Sequence, residues 1–348
     1  MRRRALLSGN GGDIDYSKVY FTMVVTVGGN ITWNGSATAN TLSYSKDNGE
    51  TWSTADSTTI ISVVKGDNVL WKGTPTPISG GGIGSFSGDS AVRFDVEGNV
   101  MSLLLGDNFI GQKSLSEKDY AFQNLFKNNE NVVSIDKMVL PSTTLAVDCY
   151  RGMFQNCTGL TTAPELPATT LASNCYRGMF NSCTSLITVP SDLLPATTLA
   201  SNCYRLMFQN CTSLTTAPEL PATTLAESCY HLMFNNCSLT TVPSDLLPAT
   251  TLAKSCYYQM FLGCTNLTSA PELPATTLAE SCYYQMFNRC TSLSSIKCLA
   301  TNISASNCTS NWVLDVAASG TFIKAASMSN WTTGFNGIPR GWTVQNHV

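Results

Sequence analysis

Leu171-Ala-Ser-Asn-Cys175-Tyr176-Arg177-Gly178-Met179-Phe180-Asn-Ser-Cys183-Thr-Ser-Leu186-Ile-Thr-Val189-Pro190 is the stretch whose reading decides the fold. Its apolar residues fall at 171, 175, 176, 179, 180 and 183, the i, i+3/i+4, i+7/i+8 spacing of a short helix with one buried face. The alternating run up to Pro190 reads as a brief strand. Proline has no N–H for a ladder, so that strand is expected to end there. The stretch is one copy of many. Cys-Tyr-x-x-Met-Phe-x-x-Cys starts at Cys149, Cys175, Cys203, Cys229, Cys256 and Cys282, in steps of 26–28 residues. Leu-Pro-Ala-Thr-Thr-Leu-Ala precedes it at Leu166, Leu194, Leu220, Leu247 and Leu273, with a Ser variant at Leu140. Strand ends are expected near Pro164, Pro190, Pro218, Pro243 and Pro271. One such unit cannot bury its apolar side alone, whereas stacked units share a core.

The array extends outward in both directions. Ala121-Phe122-Gln-Asn-Leu125-Phe126-Lys-Asn-Asn129 fits the frame with both cysteine positions replaced, and Cys308 keeps it with Trp312 in place of the Met-Phe pair. Atypical end repeats are expected, because an end repeat covers the core with a different surface.

The repeat resembles the leucine-rich repeats of the BspA-like family, which read approximately Ala-Phe-x-x-Cys-x-x-Leu-x-x-Ile-x-Leu-Pro. Met179-Phe180-Asn-Ser-Cys183-Thr-Ser-Leu186-Ile-Thr-Val189-Pro190 follows that pattern over roughly residues 115–310, with Met for Ala and Val for Ile. The proline arrives early, and Ala163, Ala217 and Ala270 stand where the family has Ile, which implies a thinner core in those repeats. The tail around Trp331 and Trp342 is similar to the closing segment of such proteins from gut Bacteroides and their phages. The resemblance implies a right-handed strand–helix solenoid used for adhesion.

Upstream the pattern changes. Residues 1–12 read as a flexible arm, and Val19 to about Leu105 is rich in β-branched and aromatic residues. Strands are expected at 19–27, 30–33, 41–45, 58–64, 68–72, 91–96 and 99–104, short enough for a sandwich. Ser79-Gly-Gly-Gly-Ile-Gly-Ser reads as a flexible loop. The expected fold is therefore α+β: a β-sandwich domain at 13–112, a BspA-like leucine-rich-repeat solenoid of 26–28-residue strand–helix units at 113–310, and a capping segment at 311–348.

The fourteen cysteines read as packed core thiols. The two of one repeat are eight residues apart, about 12 Å on a helix, which is too far for a disulfide. There is no Cys-x-x-Cys, and His231 and His347 are the only histidines, so neither metal nor cofactor is expected. Ser45-Lys-Asp47-Asn-Gly49-Glu-Thr51-Trp52 matches the Asp-box of sialidase-like propellers, where it is a structural turn. Glycan hydrolysis needs two carboxylates facing one cleft. Asp13, Asp15, Asp47, Glu50, Asp56, Asp67, Asp89, Asp95 and Glu97 offer no spacing that singles out a pair.

Charged residues are 12% of the 348, and the net charge is −3, no field for nucleic acid or an anionic membrane. No run approaches the roughly 18 apolar residues of a membrane span, and the first residues do not read as a secretion signal. Two rows are candidate ligand-binding positions. The variable residue after each Cys-Tyr gives Arg151, Arg177, Arg205, His231, Tyr258 and Tyr284, types enriched at binding hot spots. One acid per repeat gives Glu165, Asp192, Glu219, Asp245 and Glu272. The expected function is non-enzymatic adhesion or receptor binding to a host-surface glycan or protein, as a phage virion component. The arm and N-terminal domain would then join other virion proteins, and self-association stays open. A bacterial cell-surface adhesin and a glycan-active enzyme are the alternatives.

Overall fold

The computed structural model describes residues 14–35, 42–74 and 82–347. The arm at 1–12, Asp13, Thr41 and the first residues of the 79–85 loop lie outside them. In the N-terminal region β-branched and aromatic residues form eight strands among the described residues: β1 (Phe21–Val27), β2 (Gly29–Asn34), β3 (Leu42–Ser45), β4 (Ser53–Ala55), β5 (Ile60–Val63), β6 (Asn68–Gly73), β7 (Ser85–Gly88) and β8 (Arg93–Asn99). Two sheets result. One runs β4-β3-β6-β1-β8-β9, its last strand (Lys137–Val139) supplied by the repeat region and parallel to β8. The other runs β5-β2-β7. Alternate residues Phe21, Met23 and Val25 of β1, Ile31 and Trp33 of β2, Trp71 of β6 and Phe86 of β7 are buried in one core.

The strand expected at 99–104 stops at Asn99. The Asn99 side chain accepts the Met101 N–H at 2.9 Å, an Asx turn that diverts the backbone. A four-residue helix, α1 (Ser102–Leu105), follows and ends at Gly106 with φ +53°.

The strand–helix solenoid expected over 113–310 is not present. The structure is nearly all β, with 22% strand, 3% helix and several sheets, and α1, its one short α-helix among the described residues, lies outside the repeats. The α+β assignment is corrected accordingly, and the reason is visible in the backbone. Asn174, Gly178 and Ser182 have φ of +57°, +62° and +60°, and every repeat places such residues at the same four-residue interval. An α-helix tolerates none of them. The segment is instead a succession of tight turns.

Hydrogen bonding follows the same beat. The N–H groups of Arg151, Met153, Gln155 and Cys157 reach back three residues, at 3.0–3.2 Å. Those of Tyr150, Gly152, Phe154 and Asn156 cross to Cys175, Arg177, Met179 and Asn181 of the next repeat, at 2.8–2.9 Å. Half of the amides thus hold a turn and half hold the neighbouring repeat. The side chains stack in register as well. Tyr150, Tyr176, Tyr204, Tyr230, Tyr257 and Tyr283 form a ladder with centroids 5.6–6.0 Å apart. Phe126, Phe154, Phe180, Phe208, Phe234, Phe261 and Phe287 form a second, at 5.6–5.8 Å.

The fourteen cysteines are free and buried. The second of each repeat does more than fill space. The thiols of Cys157, Cys183, Cys211, Cys237, Cys264 and Cys290 lie 3.0–3.1 Å from the carbonyl of the phenylalanine one repeat earlier, as donors. Burial pushes Cys157, Cys211 and Cys264 up to about 12, which keeps them protonated donors.

Before the prolines the expected strands are reduced to little more than a single parallel bridge, Ser269 with Ser295, and further single bridges, Thr144 with Thr170 and Thr198 with Thr224, come after the prolines. Where the repeat carries Lys297 and no proline, a strand forms: β10 (Ser295–Cys298) pairs in parallel with β11 (Thr321–Ala325), and β11 with β12 (Thr343–His347). Both ends of the ring ladders are covered. Phe126 stacks on Phe86 and Phe21, at 5.6 and 6.0 Å, so the repeat core runs into the two-sheet core. At the other end Trp312 meets Tyr283 and stacks on Trp331 at 5.6 Å, and its indole N–H donates to the Gly337 carbonyl.

Candidate functional site: a basic groove on the variable row

Five of the N-terminal aspartates are held by turns or loops. Asp47 accepts from the Ser45 hydroxyl at 2.7 Å and the Thr51 N–H at 2.9 Å, which holds its carboxyl far below the usual range. The box is a turn closed by its own side chains. Trp52, beside it, packs on Tyr20 and lies under the Lys72 ammonium. Asp15, Asp56, Asp67 and Asp89 each accept hydrogen bonds from a nearby turn or loop, Asp15 and Asp67 from a lysine too, and are lowered likewise. A general acid needs the opposite shift. Asp95 alone among them is raised, by burial, and it lines none of the three cavities described below.

The variable row is half-buried. Each residue sits one step after a ladder tyrosine, so its side chain leaves the core beside its equivalent in the next repeat. The row has two chemically distinct halves. His231, Tyr258 and Tyr284 stack at 4.4 and 4.5 Å, which covers both faces of Tyr258. A sugar ring needs a free aromatic face, and this inner ring has none. Burial, then Arg205 and Arg177, lower His231 to about 4.

Arg151, Arg177 and Arg205 form the other half. Arg151 is paired with the buried Asp148 at 3.3 Å. Arg177 has no ion pair among the described residues. Burial lowers its pKa, as do its neighbours Arg151 and Arg205. Arg205 reaches Asn202 at 3.4 Å, while its Nε is buried without a partner. Arg177 and Arg205 are thus positive charges without matching acids among the described residues.

That half opens on a groove of about 260 Å³. The residue after each variable position explains its place: Gly152 and Gly178 here, then Leu206, Leu232, Gln259 and Gln285. All six have positive φ, between +51° and +62°. Gly178 leaves its part of the floor open, the Asn124 side chain packs where a Cβ at Gly152 would sit, and Leu206 forms part of the wall. Lys127, Arg151 and Arg177 line the groove with the amides of Gln123, Asn124, Gln155 and Asn181, and no carboxylate lines it. The Oε1 of Gln123 is buried and unpartnered. Gln123, Asn124 and Lys127 come from the cysteine-free first repeat, and the variable row alone did not indicate them. The glycine pair after Arg151 and Arg177 was the available signal.

The acidic row does not converge. Glu165, Asp192, Glu219 and Asp245 are exposed, and half-buried Glu272 pairs with Lys297 at 2.9 Å. No cluster of three or more metal-ligating groups occurs among the described residues. Glu165 lines a larger cavity of about 590 Å³ between the N-terminal region and the first repeats. Its charges cancel, however: Lys113 and Lys137 face Asp136 and Glu165. Asp136 also accepts from Thr162, and Lys137 lies 5.6 Å over the Tyr16 ring. A smaller cavity of about 230 Å³ lies at the far end, beside Phe335 and Arg340. The groove over the glycines is the one with charge to spare.

Comparison of the chain with protein-family models, with curated proteins and with solved structures found no match.

Proposed function

We propose that this is a non-enzymatic recognition protein, which presents the variable row of its repeats to a glycan or protein on a host surface as a component of a phage particle. The observation that carries the reading is the row itself. Positions that differ between near-identical repeats line up side by side and carry arginine and aromatic side chains. The rest of the chain has few charges. A support built from two continuous ring ladders is stiff, which lowers the ordering cost of binding. The turn-bound acids of the N-terminal region favour binding over turnover.

A glycan array probed with the full chain, run beside a hydrolysis assay on every glycan retained, tests the reading. Retention without cleavage is the expected result, and measurable cleavage would overturn it. Mass spectrometry of purified virions tests the setting, where the chain is expected among the particle proteins.

A further inference from the structure

The groove over Gly152 and Gly178 has a composition that selects among surface ligands. We propose that it binds one acidic sugar residue of a surface saccharide, with the carboxylate or sulfate against Arg151 and Arg177 and the ring hydroxyls on the surrounding amides. This rests on the recognition reading above and narrows it to a place and a ligand class.

Three observations meet at the groove. The first is charge: Arg177 has no counterion, Lys127 adds a second cation at the rim, and no acid lines the walls. Arginine presents paired N–H groups that match a carboxylate or sulfate. The second is the amide lining. Gln123 has a buried acceptor with no partner, and a primary amide can serve a sugar hydroxyl as donor or acceptor. A bare anion would have no use for that acceptor. The third is size. About 260 Å³ lies just under the ~300–1,000 Å³ of drug-sized pockets, so one ring enters and the rest of the saccharide stays outside.

The site is also confined to one part of the array. Filling the floor should abolish it, and the chain itself provides a tolerated filler. Leu206 and Leu232 occupy the equivalent position with φ of +62° and +58°, matching Gly178 at +62°. Gly178→Leu therefore repeats a local structure the protein already has. The space is there, since a Cβ at Gly178 would meet only Asn181, at 3.8 Å.

The test is titration calorimetry of the full chain with a hexuronate oligosaccharide, a sulfated galactan oligosaccharide and a neutral oligosaccharide of equal length, with sodium sulfate as competitor. Binding of an acidic oligosaccharide, lost at least tenfold in both Gly178→Leu and Arg177→Gln with an unchanged melting temperature, is expected. Gly263→Asn, three repeats away, restores the asparagine that Asn210 and Asn236 place at the same left-handed turn position, and binding should be unchanged. Equal binding by wild type and Gly178→Leu would remove the groove assignment and leave the recognition reading standing. Retention of only neutral glycans would do the same. Displacement by sulfate at the same concentration as the oligosaccharide would reduce the site to a plain anion site. Failure to retain any glycan or host-surface protein would end both proposals.

Discussion

The two-sheet region and the repeat array bury similar side chains and solve the backbone problem differently. In the sheets, β1 gives its amides and carbonyls to β6 on one side and β8 on the other, and its residues alternate in and out. In the array, successive amides alternate between a local turn and the next repeat, and buried residues recur every four. A strand depends on partners that are far away in sequence. A turn repeat depends on its immediate neighbours, so its cohesion is spread evenly along the stack.

Removing a ring from the middle of the array is the strongest way to break that contrast. Phe208→Ala takes one rung from the phenylalanine ladder and should cost about 3–5 kcal/mol. Hydrogen exchange should show lost protection in the neighbouring repeats while β1, β6 and β8 keep theirs. Equal loss in those strands would mean the two regions unfold as one unit.

The left-handed positions come next. Asn202 has φ +56°, and Val there should cost about 1–2 kcal/mol in chemical denaturation. Val at the adjacent Ser201 should stay within about 0.5 kcal/mol. Similar costs at both would remove the turn account of the array.

Those positions also explain what was legible in advance. The repeat length, its copies and the buried residues could all be read directly, and the helix could not. Leu171, Cys175, Met179 and Cys183 are four apart, and so are Asn174, Gly178 and Ser182. A helix advances about 400° in four residues, so a strict period of four drifts around it, whereas a chain of four-residue turns keeps it on one side. Asn, Gly, Ser and Asp at the fourth positions were the second clue, since short polar residues and glycine accept positive φ most readily. Resemblance to leucine-rich repeats hid both. In the N-terminal region the β-branched runs marked most strands, but at 99–104 the apolar run from Val100 to Leu104 masked the turn signal that Gly98-Asn99 carries. At the site, the arginine row was legible from its variation. The groove was not, because it depends on Gln123, Asn124 and Lys127 meeting the next two repeats across the stack.

His231 ties stability to pH within the variable row. Its folded pKa of about 4 lies below the ordinary 6.5, so its contribution is complete above pH 6.5 and is lost as pH falls toward 4. About 1–2 kcal/mol should disappear across that window once solvent screening is allowed for. Thermal melts of His231→Tyr, which extends the tyrosine stack, should show a flatter profile there; an unchanged slope would place the dependence elsewhere.

The smallest effect concerns the thiols, which serve the array and have no counterpart in the sheets. Cys211→Ala removes the donor to the Phe180 carbonyl and should cost about 1 kcal/mol. Cys211→Ser keeps a donor there, and equal losses in the two would assign the role to packing alone.

A crystal structure of the full chain soaked with a hexuronate disaccharide tests the central claim most directly. Density for one sugar ring over Gly152 and Gly178, its carboxylate against Arg151 or Arg177, is the predicted result. Ordered sugar elsewhere on the molecule with the groove empty would contradict it.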